Sequence, residues 1–234
     1  MCNAFSCIVD RTKKVTWKFG VDSHDKLLEI AGLPDDTKDP KTIKFCRVEI
    51  SPENKDYLNP DKWVFKIDMD ITPAWWSLDH KRACESAHKE WMDQLYKILV
   101  RKTIVHPFKI TPPRKITKEH IDLLKVWDSV WDSVGASVRA SVGDSVGDSV
   151  WDSVGDSVWD SVWDSVRASV WDSVWVYISS FFQIEKWEYI EHTIWENPFQ
   201  PAIDLWESGL VPSFDGTKWR LHGKNGKTIW EGVI

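Results

Sequence analysis

Cysteine is scarce in this chain of 234 residues, and its few copies lie far apart. Cys2, Cys7, Cys46 and Cys84 form no CxxC motif and are too few and too scattered for a disulfide framework. Long apolar runs are missing too, so no segment reads as a membrane span. The opening MCNAFSCIVDR lacks a basic stretch and its apolar part is short, which excludes the pattern of a secretory leader. A reducing, cytoplasmic compartment is therefore expected. Nor is there an excess of basic charge: the net charge is −6. Proline is absent between Pro113 and Pro198.

A tandem repeat fills that proline-free stretch. Residues 126–173 read VWDS VWDS VGAS VRAS VGDS VGDS VWDS VGDS VWDS VWDS VRAS VWDS, twelve tetrapeptides without an insertion. Val opens and Ser closes every unit. The second position is Trp, Gly or Arg and the third is Asp or Ala. Nine Asp against two Arg give the array a net charge of −7, which leaves the rest of the chain at +1. That acidity argues against nucleic acid as a ligand of the array.

A position that accepts Trp, Gly and Arg is not a close-packed site, because cores respond to single methylenes. Val and Ser are therefore expected inside, and the variable pair outside. A strand alternates faces at every residue and would split Ser from Val. A helix places both on one stripe. A long α-helix is the preferred reading, although these residues are mediocre helix formers and a period of 4.0 drifts about 40° per unit against 3.6. A β-solenoid is the alternative. As one helix the array would extend roughly 70 Å, too far for the flanks to cover. Packing of Val130, Val146, Val150 and Val158 against a second copy is expected, with Ser145, Ser149, Ser153 and Ser157 allowing close approach of two backbones. Trp127, Trp131, Trp151, Trp159, Trp163, Trp171 and Trp175 are the expected contact residues, an apolar row on an acidic face. Slippage of a twelve-base unit with point mutation also produces such variation, since Trp, Gly and Arg can share an NGG codon.

The fold class expected is α+β, in three parts. Residues 1–112 read as a ββαββα head with a largely antiparallel sheet: strands at 2–9 and 14–19, a helix capped by Ser23 and closed near Gly32, strands at 42–50 and 63–71, and a helix from Ser77. Residues 113–182 hold the repeat. Residues 183–234 read as a cap: a short helix at 201–208 stopped by Gly209, then a β-meander turning at Asp215-Gly216 and Asn225-Gly226.

Three places in the head carry candidate chemistry. Cys2 becomes the first residue if the initiator Met is removed, and would then offer a thiolate with its own amine as base. The opening MC before a strand resembles class II glutamine amidotransferases, which begin MCG. Asn3 departs from that pattern, and nothing downstream matches the family's glutamine pocket. A plain strand cysteine is the favoured reading. His80, Cys84 and His88 recur every four residues on one helix, where two of them could share a metal. All three span about 12 Å, and a half-exposed helix face is favoured. Asp68 and Asp70 share a face at a strand end and could hold Mg, with a solvated edge favoured. No cofactor is expected.

Residues 97–118, KILVRKTIVHPFKITPPRKITK, are basic and rich in proline. They read as the boundary between head and array and could bind phosphate or RNA, with a solvated linker favoured.

Finally, MCNAFSC with WKFGVDSH, EISPENKDYLNPDKWVFK and LWESGLVPSFDGTKWRLHG resemble segments of uncharacterised phage and metagenome proteins that also carry tetrapeptide runs. The resemblance covers nearly the whole chain. It implies a phage-like origin and action in the host cytoplasm, and carries no catalytic residues. The expected function is that of a non-enzymatic interaction protein, homo-oligomeric, with a host protein as a further partner. The alternatives are an enzyme built on Cys2 and a phosphate or nucleic-acid ligand for residues 97–118.

Overall fold

The computed structural model describes residues 5–53, 56–146, 155, 171–190 and 197–234. The chain is mixed α+β, with helices and two small antiparallel sheets. It divides into two compact units, one of residues 1–98 with 146–157 and one of residues 99–145 with 158–234.

In the first unit, strands β1 (Phe5–Asp10), β2 (Val15–Thr16), β3 (Phe45–Ser51) and β4 (Val64–Ile67) form one antiparallel sheet in the order β2-β1-β3-β4. Helix α1 (His24–Ala31) lies between β2 and β3 in sequence, and α2 (Leu78–Leu95) follows β4. Both faces of the sheet are covered. Leu27 and Leu28 of α1 pack with Ile8 and Phe45. Cys84, His88 and Trp91 of α2 meet the opposite face, at Cys7 and Phe5. Double coverage explains why β1, FSCIVD, buries five consecutive residues instead of alternating. Helix α1 starts where Ser23 accepts the Lys26 N–H at 3.4 Å. It stops at Gly32, whose φ of 65° is the left-handed conformation that glycine adopts without strain.

In the second unit, α3 (Lys118–Trp131) and α4 (Val134–Val146) carry the start of the repeat, and α5 (Trp171–Ser179) carries its end. Helix α6 (Gln200–Glu207) packs on α3 and α5. Strands β5 (Val211–Phe214), β6 (Trp219–His222) and β7 (Thr228–Gly232) form a meander. Its two turns carry the left-handed residues that tight hairpins need: Gly216 at φ 92°, Asn225 at 59° and Gly226 at 72°.

The described repeats are helical, and no solenoid occurs among the described residues. They do not form one continuous helix. The chain turns at Asp132 and Ser133, and the Trp131 indole N–H donates to the Asp172 carboxylate at 2.9 Å. Forty-one residues of unbroken helix would hold those positions about 60 Å apart. The two ends of the array therefore meet, which corrects the expected 70 Å rod.

The basic connection is likewise no solvated linker. Val100 donates its N–H to Phe181 O at 2.8 Å. Val105 donates its N–H to the Tyr177 hydroxyl at 2.7 Å, and its carbonyl accepts from the Trp206 indole at 2.9 Å. The Tyr177 and Trp206 rings stack at 4.8 Å. The stacked pair thus binds both the N–H and the carbonyl of Val105.

Candidate functional site

The array is the best-defined candidate, and its described units follow two different phases. In α4, Val134, Ser137, Val138 and Ser141 are buried, an i, i+3, i+4, i+7 stripe. The variable positions Gly135, Ala136 and Arg139 are exposed there. Ser141 Oγ accepts the Glu188 N–H at 2.8 Å, so the chain's own tail reaches this stripe. In α3 the buried residues are Leu124 and Trp127, while Val130 and Trp131 are half-buried. Trp127, expected as a contact residue, is 1% exposed and packs edge-on against Phe199 at 6.2 Å. Trp131 meets Phe214 and Trp219 at 5.4 and 5.9 Å. The reason is the four-residue period. It drifts against 3.6, and the turn at 132–133 lets α3 bury Trp while α4 buries Val and Ser.

The other array tryptophans divide by position. Trp171 is 42% exposed. Trp175 is half-buried, with the Arg139 guanidinium 6.0 Å above its ring. Trp151, Trp159, Trp163, Val150, Val158, Ser149, Ser153 and Ser157, and the side chains of Val146 and Ser145, lie outside the described residues.

Asp and Ser of the repeat serve as hydrogen-bond partners. Asp128 accepts from the Trp219 indole at 2.7 Å, and Asp172 from Trp131. The Ser173 hydroxyl donates to Pro212 O at 3.0 Å. Each contact joins a repeat residue to a distant part of the chain without demanding a large side chain.

In the head, the His80, Cys84 and His88 face is buried against the sheet instead of half-exposed. The three side chains serve separate surroundings. His80 Nδ1 lies 2.8 Å from Ser77 Oγ and its Nε2 lies 3.3 Å from Arg11 O. The Cys84 and Cys7 thiols are hydrogen-bonded to each other, with Cys46 beside them. The Cys84 hydrogen bond and then burial hold the Cys7 thiol well above its ordinary pKa. Burial first, then Cys84, pushes Cys46 up to about 12. All three thiols are buried and unpaired by disulfide, so they are poor nucleophiles. His88 sits among Phe5, Trp63 and Trp91 at centroid distances of 5.2, 6.0 and 5.7 Å. Burial lowers its pKa to about 4, and its Nε2 has no hydrogen-bond partner. Among the described residues no group of three His, Cys, Asp or Glu is arranged to hold a metal ion.

Asp68 and Asp70 do not act as a pair. Strand β4 ends at Ile67, and Asp68 turns to the buried His24, Oδ2 to Nδ1 at 3.3 Å, while His24 Nε2 lies 3.1 Å from Val48 O. Asp70 is exposed. Cys2 lies outside the described residues.

One Ser–His pair escaped the sequence reading. Ser213 Oγ lies 2.7 Å from His222 Nε2, and His222 Nδ1 lies 3.2 Å from Gly226 O. With Nδ1–H donating to that carbonyl, Nε2 accepts from the serine hydroxyl. Ser213 is buried on β5, so the pair ties two strands and the following turn. No local motif announces it, because the two residues meet only through the β5–β6 register.

Comparison with known proteins returns no matching family model, no matching curated protein and no matching solved structure. Among the described residues no helix is long and apolar enough to cross a membrane.

Proposed function

We propose that the chain is a non-enzymatic interaction protein, whose acidic, Trp-bearing array mediates self-association or holds a partner protein. One observation carries the reading. In α4 the invariant Val and Ser are buried while Gly135, Ala136 and Arg139 point outward. The positions that vary are thus the ones a partner would touch, and variation there leaves the inner packing unchanged. Trp127 is buried and Trp131 is engaged by Phe214, Trp219 and Asp172 of the same chain, so the contact role falls to Trp positions later in the array. Exposed tryptophan on a surface of one charge sign favours a partner that supplies both apolar area and basic residues. The likeness to phage proteins would place such a partner in the host cytoplasm.

The test uses the repeat's own tolerance. Gly occupies the second position in several units, so Trp151, Trp159 and Trp163 are replaced together by Gly. Sedimentation velocity of the full chain at micromolar concentration, alone and with host lysate proteins cross-linked and identified, reads the outcome. The expectation is association by the parent and its loss in the variant, with the melting temperature nearly unchanged. A parent that stays monomeric and captures nothing above the level of the variant contradicts the proposal.

A further inference from the structure

The basic connection acquires a second half from the far end of the chain. Within it, a 3-10 turn at Pro107–Lys109 packs against the 3-10 turn at Lys224–Gly226, which joins β6 to β7. The fit is close. A Cβ at Gly223 would lie 2.9 Å from the Pro112 ring and 3.1 Å from Ile229, so glycine at 223 is what lets the two segments touch. Backbone bonds from Gly226 N–H to Gly223 O at 2.9 Å, and from Gly223 N–H to Lys227 O at 2.8 Å, hold the turn. Arg114 and Lys115 follow Pro112 by two and three residues, within about 11 Å along the chain.

This contact brings the segments that carry Lys109, Arg114, Lys115, Lys224 and Lys227 together in the second unit. All five are exposed. None forms an ion pair among the described residues. The surrounding cations behave otherwise: Lys102 pairs with Glu207, Lys118 with Asp122, Lys218 with Glu231, and Arg220 with Asp215 and Glu231. Residues 103–118 and 216–230 contain no Asp or Glu. The paired cations, which flank the two segments in sequence, are neutralised, and the five on the segments are left positive.

We propose that this surface binds the phosphate backbone of a nucleic acid without reading its sequence. A phosphate polymer offers one charge per nucleotide to a cluster of unpaired cations, and binding gains from the counterions it releases. A membrane is disfavoured, since Ile229 is the large apolar residue these two segments expose. A carboxylate-bearing protein would need its acids placed to match irregular backbone. The proposal is independent of the array's role, and it takes up the alternative of a phosphate or nucleic-acid ligand for residues 97–118 in place of the solvated linker.

Fluorescence anisotropy with a labelled oligothymidylate tests it on the full chain. With five phosphate contacts, the logarithm of the affinity should fall with the logarithm of salt at a slope of about 3.5, or about a hundredfold between 50 and 200 mM. Replacing Lys109, Lys224 and Lys227 by Gln should lower that slope to about 1.4, while far-UV dichroism and the melting temperature stay unchanged. Absence of saturable binding by the parent at about 50 mM salt would overturn the proposal. So would binding that the triple variant retains in full. Displacement of the labelled strand by polyglutamate or phosphatidylserine vesicles as effectively, per charge, as by unlabelled strand would assign the surface to a protein or a lipid instead.

Discussion

Val138 and Arg139 are neighbours in one repeat unit, and they should respond oppositely to truncation. Val138 is fully buried, in line with Val134 and Ser141. Val138→Ala removes two methyl carbons, worth about 0.8 kcal/mol each in transfer, and leaves a small cavity that adds to the cost. The expected loss is about 2 kcal/mol. Arg139 is exposed, and its guanidinium lies 6.0 Å above the Trp175 ring. Such an exposed cation–π contact contributes about 0.5 kcal/mol, and Ala is the better helix former. Arg139→Ala should therefore cost about 0.5 kcal/mol or less. For a chain of this size the two changes correspond to melting temperatures lowered by about 4–8 °C and about 1–2 °C. Thermal melts followed by far-UV dichroism at one protein concentration measure both. Equal shifts, or a larger one for Arg139→Ala, would refute the assignment of inner and outer positions.

Acid should destabilise the head through His88. Burial holds its folded pKa near 4 against an ordinary 6.5, so the neutral form is favoured by folding. Its contribution is complete above pH 6.5 and is lost as pH falls toward 4, by up to about 3 kcal/mol. His88→Met should flatten denaturant-measured stability across that interval, and an unchanged slope would contradict the burial argument. A double-mutant cycle of Trp131→Phe and Asp172→Ala should return a coupling of about 0.5–1.5 kcal/mol for the indole–carboxylate bond, while a coupling of zero would separate the two ends of the array. Cys7, Cys46 and Cys84 should resist Ellman's reagent at neutral pH until the chain is unfolded, and rapid labelling of any of them in the native protein would show that the thiols are accessible.

Local signals made the head and the meander readable. Ser23 and Gly32 bracket α1, Pro73 follows the last strand of the head, and Asp215-Gly216 and Asn225-Gly226 mark both turns of the meander. The ββαββα order follows from such punctuation. Contacts between distant positions left no such trace. Cys7, Cys46 and Cys84 come together because β1 pairs with β3 in a particular register and α2 crosses that face. Strand β4 ends early where Asp68 turns to His24. Tyr177 and Trp206 clamp Val105 across more than seventy residues. The repeat misled in one respect. Identical units imply identical environments, yet Trp127 is buried and Trp171 is exposed, because a turn at 132–133 resets the helical phase and no residue within the repeat marks it.

The return of the array upon itself is most directly tested by a distance. Spin labels at Asp132→Cys and Trp171→Cys, in a Cys2→Ser background that leaves the buried thiols unlabelled, report the separation of the second and last repeats by pulsed electron resonance. Dilution with unlabelled protein restricts the signal to pairs within one chain. The contact between Trp131 and Asp172 requires a separation at the short end of the measurable range. A distribution centred near about 60 Å, the length of the intervening residues as unbroken helix, would contradict it.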